Sequence, residues 1–250
     1  MKIHLYLLFI LLPIRVFCQN ADTTSHAKQS RLSIGILFSP EYSYRTISPD
    51  QSASSQEITT SRNSTEIYRI TYSAGIICVY QLNKKITLSI GTEYSDKGYK
   101  TKSSTLFLYN PTINPRTGTV SSSSTGTATF IYHYYYIDIP IKASYYFIAK
   151  RVKIYVSLGL STNINLSDYN TATLDYSDGT TTSSTEKTNN GFSTINLQAI
   201  AGVGTRYDLS RKLYIMVEPT FNYSINSIVQ APIREYLYSF GLNTSVSWKF

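Results

Sequence analysis

Cysteine is scarce in this chain, which holds only Cys18 and Cys78. Cys18 closes an apolar N-terminal stretch, MKIHLYLLFILLPIRVFC, which carries a lysine at its start and reads as an export signal over residues 1–18. Its removal leaves Cys78 alone, so no intramolecular disulfide can hold the exported fold. One cysteine with His26 and His133 also falls short of a metal centre, and neither a metal nor another cofactor is expected. Long apolar runs are lacking as well. Ile3 to Leu12 spans about ten residues, too few to cross a bilayer as a helix. Mean hydropathy near zero excludes a bundle of membrane helices, though not a membrane barrel, whose inward half is polar. Charged residues make up only 15%, and the net charge of +8 falls to +6 once Lys2 and Arg15 leave with the signal. The bases are scattered without a basic run, so nucleic acid is not an expected partner. No helical period persists along the mature chain.

What the chain has instead is tyrosine, 23 residues of it, with abundant Ser, Thr, Ile and Val, a mixture that favours strands. Apolar residues alternate with polar ones in eight stretches, near 31–44, 66–82, 85–99, 129–147, 152–166, 193–209, 212–225 and 236–250. Tight turns at Asn83-Lys84, Ala149-Lys150-Arg151 and Ser210-Arg211 alternate with longer connections near 45–65, 100–128, 167–192 and 226–235. In an antiparallel meander that alternation puts every short turn at one end and every long loop at the other. Outer-membrane barrels have this asymmetry, with short periplasmic turns and long external loops. The expectation is an all-β protein, an eight-stranded antiparallel up-and-down transmembrane β-barrel over residues 30–250. A short periplasmic segment, 19–29, precedes it, both termini are periplasmic, and the long loops are extracellular.

In this reading one face of each strand meets lipid. Tyr42, Tyr44, Tyr68, Tyr94 and Tyr223 toward the loops, with Tyr80, Phe147, Tyr207 and Trp248 toward the turns, form the two aromatic belts. The opposite parity carries Glu93, Asp138, Lys142, Lys153, Arg206, Asp208 and Glu218. An eight-stranded barrel is just wide enough for side chains to fill it, so these charges must pair. Glu93, Asp138, Lys142, Arg206 and Glu218 are expected to form a structural network that closes the lumen. The Ser/Thr-rich segments 121–129 and 178–190 read as low-complexity, flexible loops. His133, among Tyr132, Tyr134, Tyr135 and Tyr136, is expected at the lipid boundary, and no catalytic residue is assigned.

Four stretches resemble the PorT-like outer-membrane barrels of Bacteroidota. They are YYYIDIPIKASYYF (134–147), KIYVSLGLSTNINL (153–166), AGVGTRYDLSRKLYIMVEPTFNYSINSI (201–228) and YSFGLNTSVSWKF (238–250). The resemblance implies residence in the outer membrane of a Gram-negative cell, with lipid and the barrel-insertion machinery as partners and envelope or secretion proteins as further candidates. A structural or interaction role at the cell surface leads, followed by a part in secretion or envelope assembly, then a lipid-modifying enzyme. Deacylases of such barrels carry a His-x-Ser pair on a comparable strand, and here Tyr135 stands in the serine position.

The closing stretch alternates through Leu242, Thr244, Val246, Trp248 and Phe250. By the same resemblance, Trp248 and Phe250 are the insertion signal read by the assembly machinery. Deleting Phe250 is expected to lower the amount of assembled protein more than deleting one residue of any long loop. Immunodetection of heat-modifiable protein in outer-membrane fractions measures this, and equal levels would refute it.

Overall fold

The computed structural model describes residues 31–108, 112–113, 116, 120–121, 124–149, 152–188, 191–229 and 231–250. The expected signal and the segment 19–29 lie outside the described residues. Eight long strands make the wall: β1 Leu32–Pro49, β2 Glu66–Gln81, β3 Ile86–Lys97, β4 Ser124–Ala149, β5 Val152–Tyr176, β6 Ile195–Asp208, β7 Leu213–Ser224 and β8 Ile233–Lys249. Each pairs antiparallel with its neighbours in sequence. The ring closes where β1 pairs with β8, from Ser33↔Lys249 to Pro49↔Ile233. Closure satisfies the backbone donors and acceptors that an open sheet edge would leave bare in lipid.

The alternating pattern decides which side chains face out. Ile36, Ile70 and Leu158 are each more than two-thirds exposed, and Phe38, Ile76, Ile141, Ile195 and Phe240 stand out beside them. So much exposed apolar surface on a barrel wall is suited only to hydrocarbon. The inward parity is small and polar, with Ser33, Ser39, Ser43, Ser73, Ser157, Ser239 and Ser247 all buried. Small side chains let larger ones cross the lumen, and two aromatic layers do so. Nearer the turns, Leu37, Ile77, Val79, Tyr146, Tyr155, Tyr214 and Met216 pack together. Nearer the loops, Tyr99, Tyr134, Tyr136, Ile228 and Leu237 form a second cluster. Gly204 on β6 makes room for the first, since a Cβ there would run into the ring of Tyr155.

The turns are locked by their own side chains. Asn83 Oδ1 accepts from the backbone N–H groups of Lys85 (2.8 Å) and Ile86 (2.9 Å). Ser210 Oγ accepts from Lys212 (3.2 Å) and Leu213 (3.0 Å). We refer to this end as the turn rim and to the other as the loop rim.

The loop rim differs from the sequence-based expectation in two ways. The connection after β1 contains a helix, α1 (Ala53–Thr65), where no helical period is visible. Its buried residues are Ser55 and Thr59, so its packed face is polar and leaves no apolar stripe to detect. Ser52 caps it by accepting from Ser55 N–H, and Asp50 accepts from the hydroxyl of Ser52 (2.6 Å). Those bonds hold the Asp50 carboxyl below the usual carboxylate range. Second, the described parts of the Ser/Thr-rich segments are largely strand. β4 and β5 run to 26 and 25 residues, well past the roughly ten that cross a bilayer. A short strand at Thr181–Lys187 folds back on β5, and another at Ser104–Leu108 pairs with β4. Thr171 and Thr185 hydroxyls meet at 3.0 Å, and Thr173 and Ser183 at 3.2 Å. Threonine is a good strand former, and cross-strand hydroxyl pairs reinforce such a ladder.

Candidate functional site

Midway along the lumen the strands bring four carboxylates and two lysines together. Lys142 on β4 reaches across to Glu218 on β7 at 2.9 Å. Glu218 also accepts from the hydroxyls of Tyr155 (3.1 Å) and Ser157. Lys97, at the end of β3, pairs with Asp138 at 2.8 Å and donates to Gln198 at 3.1 Å. Asn163 completes Asp138 from β5 at 2.6 Å. Glu93 faces Asp138 directly across the β3–β4 ladder, an arrangement of like charges that costs stability unless cations flank it. Glu93 and Glu41 both approach the Ser73 hydroxyl, at 2.9 and 3.3 Å. The cavity between these groups is about 30 Å³, enough for ordered water.

Among the residues expected in the lumen network, Asp138, Lys142, Glu93 and Glu218 therefore line one region. Arg206 does not join them. It lies nearer the turn rim, pairs with Asp208 at 3.1 Å and stacks its guanidinium 3.6 Å from the Tyr214 ring centroid. Lys153 and Lys249 also bind Asp208, each at 2.9 Å. Two residues of this region, Lys97 and Glu41, are not among those expected in the network, although both lie on alternating stretches. Of the two residues assigned to an insertion signal, Trp248 stands on the outer face opposite Ile34 and Leu213. The Phe250 N–H donates to the Leu32 carbonyl at 3.2 Å.

At the loop rim, charge pairs tie helix α1 to the wall. Arg45 on β1 donates to Glu66 (2.7 Å) and to Asn63 (2.6 Å). Arg62 donates to Glu66 (2.7 Å), to the Tyr99 hydroxyl (2.6 Å) and to Glu235 on β8 (2.9 Å). Burial alone would lower the Arg62 pKa, but its bond to Glu66 and the charges of Tyr99 and Glu235 raise it instead, so the strut stays charged. Beside this strut a pocket of about 300 Å³ opens among Arg62, Tyr99, Tyr132, Tyr134, Phe192 and Glu235. Its rings touch, Tyr99 with Tyr132 at 4.7 Å and Tyr134 with Phe192 at 5.1 Å between centroids. Asn170 also lines it. The mouth of a small barrel is a common place for such a ligand cleft. The sequence hinted at it only through the tyrosine run 132–136, because the other walls come from distant segments.

His133 lies on the outer surface near this rim. Its Nδ1 is 3.1 Å from Asp96 and 3.0 Å from Arg69. Tyr44, expected in the lipid belt, is instead half-buried and donates its hydroxyl to the Glu66 carbonyl at 2.8 Å.

A closed eight-stranded wall with an apolar exterior is the architecture of an outer-membrane barrel, and the family comparison agrees. Residues 17–230 match the model of the outer membrane protein beta-barrel domain. The chain belongs to that family. No curated protein matches this outer-membrane barrel in sequence. Among solved structures it is similar to Neisserial surface protein A, with 16% identity, 88% of this chain and 98% of that one covered, and a TM-score of 0.43. OprG from Pseudomonas aeruginosa gives 11%, 92%, 99% and 0.41 in the same order. The attachment invasion locus protein of Yersinia pestis gives 10%, 87%, 99% and 0.31.

Removing one partner of a buried ion pair leaves the other charge stranded, which costs about 3–5 kcal/mol. Glu218→Gln and Lys142→Met, taken singly, are expected to lower unfolding stability in detergent micelles by that order. The double variant should recover most of the loss. A double-mutant cycle from urea titration measures the coupling, and additive losses would show that the two side chains do not act as a pair.

Proposed function

We propose that this outer-membrane barrel is a sealed surface protein that works by binding at its loop rim. In this reading the loop rim faces the cell exterior and the turn rim the periplasm. The carrying observation is a contrast within one molecule. Two aromatic clusters pack across the lumen on either side of a cavity of about 30 Å³, whereas the loop rim holds an aromatic pocket ten times larger. The pocket favours a neutral ligand with an apolar face: its walls are largely aromatic, and its two charged residues, Arg62 and Glu235, already pair with each other at 2.9 Å.

The strand motifs shared with the PorT-like group support a second reading, a component of a secretion or envelope-assembly system from a Bacteroidota cell. Envelope proteins that co-purify stably after mild detergent extraction would favour it. For a lipid-modifying enzyme, the nearest arrangement is the His133–Asp96 contact, and Tyr135 occupies the place where a nucleophilic serine would be needed.

Orientation is tested with single cysteines in a Cys78→Ser background. Thr185→Cys is expected to react with a membrane-impermeant maleimide on intact cells, and Lys84→Cys only after permeabilisation; the reverse pattern would invert the assignment. The pocket is tested by saturation-transfer NMR with neutral methyl glycosides and phenols. Binding should be lost in Tyr134→Ala, and absence of any saturable signal in the unaltered protein would remove the pocket from the proposal.

A further inference from the structure

The two rims differ in the acids that accompany their bases. At the loop rim Arg45, Arg62 and Arg69 each hold a carboxylate, and the bases Lys100, Lys102, Lys187 and Arg234, without an ion pair among the described residues, share the rim with exposed Asp50, Glu57, Asp175, Asp178 and Glu186. At the turn rim Arg31, Lys84, Lys85, Arg211 and Lys212 are exposed and form no ion pair with any described residue. The acid found there among the described residues, Asp208, is shared by Lys153, Arg206 and Lys249, which leaves that interior group positive too. The exposed bases follow strand order. Arg211 and Lys212 join β6 to β7, Arg31 precedes β1, and Lys84 and Lys85 join β2 to β3. Because β6, β7, β8, β1, β2 and β3 are consecutive in the ring, these bases span one continuous arc, about 24 Å wide at the spacing of neighbouring strands.

Their depth is set by what lies next to them. Leu82, Leu209, Tyr80 and Trp248 are exposed on the outer wall within a few residues of these bases. The Lys212 ammonium is 5.9 Å from the Trp248 ring. Aromatic and leucine side chains mark the edge of the hydrocarbon, and a base one step beyond lies at headgroup depth. A cationic arc at that depth attracts anionic lipid, each Lys or Arg adding to the attraction.

We infer that the turn rim is a collar that recruits anionic phospholipid to the barrel, with phosphatidylglycerol-type headgroups along the arc from Arg211 to Lys85. The choice of phospholipid over lipopolysaccharide rests on the periplasmic placement of the turns proposed above. The collar concentrates these lipids by charge and holds them against the apolar belt by their chains.

Trp248 is the single tryptophan of the chain and sits in this arc, so it reports the lipid beside it. The full-length mature protein is reconstituted in phosphatidylcholine vesicles with brominated-chain phosphatidylglycerol or brominated-chain phosphatidylcholine at equal mole fraction. Trp248 quenching is expected to reveal about fivefold or greater local enrichment of phosphatidylglycerol, weakening as salt rises. In a Lys84→Gln, Lys85→Gln, Arg211→Gln variant the two quenching curves should converge, each normalised to its own unquenched intensity. Asn83 and Ser210 hold both turns through backbone bonds, so these substitutions leave the fold intact, as heat-shifted gel mobility verifies. Coincident curves for the unaltered protein, or an undiminished preference in the variant, would overturn the inference. Stronger displacement of the brominated lipid by lipopolysaccharide than by unlabelled phosphatidylglycerol would overturn it in favour of the opposite leaflet. Inverted cysteine labelling with phosphatidylglycerol enrichment intact would instead overturn only the orientation.

Discussion

Everything in this molecule depends on one hydrogen-bonded seam, the pairing of β1 with β8. In water an unpaired strand edge is a liability; in hydrocarbon each unpaired amide costs several kcal/mol, and only a closed ring avoids the loss. The seam runs from Ser33↔Lys249 to Pro49↔Ile233, the full length of both strands. Closure fixes the inside and the outside, and the alternation of side chains follows from it. The same alternation in a soluble barrel would turn the apolar face inward; here Ile36 and Leu158 point out, and serines point in.

A lumen closed by side chains must settle its own electrostatics. The middle of this one gathers Glu41, Glu93, Asp138 and Glu218 around Lys97 and Lys142, an excess of acid relieved by hydroxyl and amide donors from Ser73, Ser157, Asn163 and Tyr155. Apart from Tyr155 these donors are short, and short inward residues leave room for the tyrosines that cross the lumen. The polarity of the inner wall and the small size of its residues are therefore two aspects of one constraint.

The wall was legible because period-two alternation is a direct record of a two-sided environment. The eight strands fell within a few residues of their observed limits at the turn rim, where Asn83 and Ser210 fix tight turns. The loop rim was not legible, for reasons that differ by element. Helix α1 buries Ser55 and Thr59 rather than an apolar stripe, so only its capping residues, Asp50 and Ser52, could have signalled it. The continuation of β4 and β5 is threonine-rich, with Phe130, Ile131 and Leu174 at no regular alternation, so the period-two signal fades there. Among the charges, parity placed Lys142 and Glu218 inside but could not say how far along the axis each lies. Arg206 shares the parity of that pair and yet meets Asp208, because position along the axis depends on strand stagger. The pocket beside Arg62 draws on six separate segments, and no local pattern encodes such a meeting.

The over-long hairpin of β4 and β5 has a mechanical meaning. Its ladder runs from Ala149↔Lys153 near the turn to Gly126↔Tyr176 at the far end, broken only at two register shifts, where Phe147 and Leu166 are skipped. A strand of 26 residues extends about 85 Å along its own axis. More than half of that length is clear of the bilayer, yet it is stitched by the same bonds that build the wall. A load applied at its tip would act through a long moment arm on two adjacent staves of the barrel, and the bulges at Tyr135/Tyr136 and Tyr146/Ile148 are where that beam would flex.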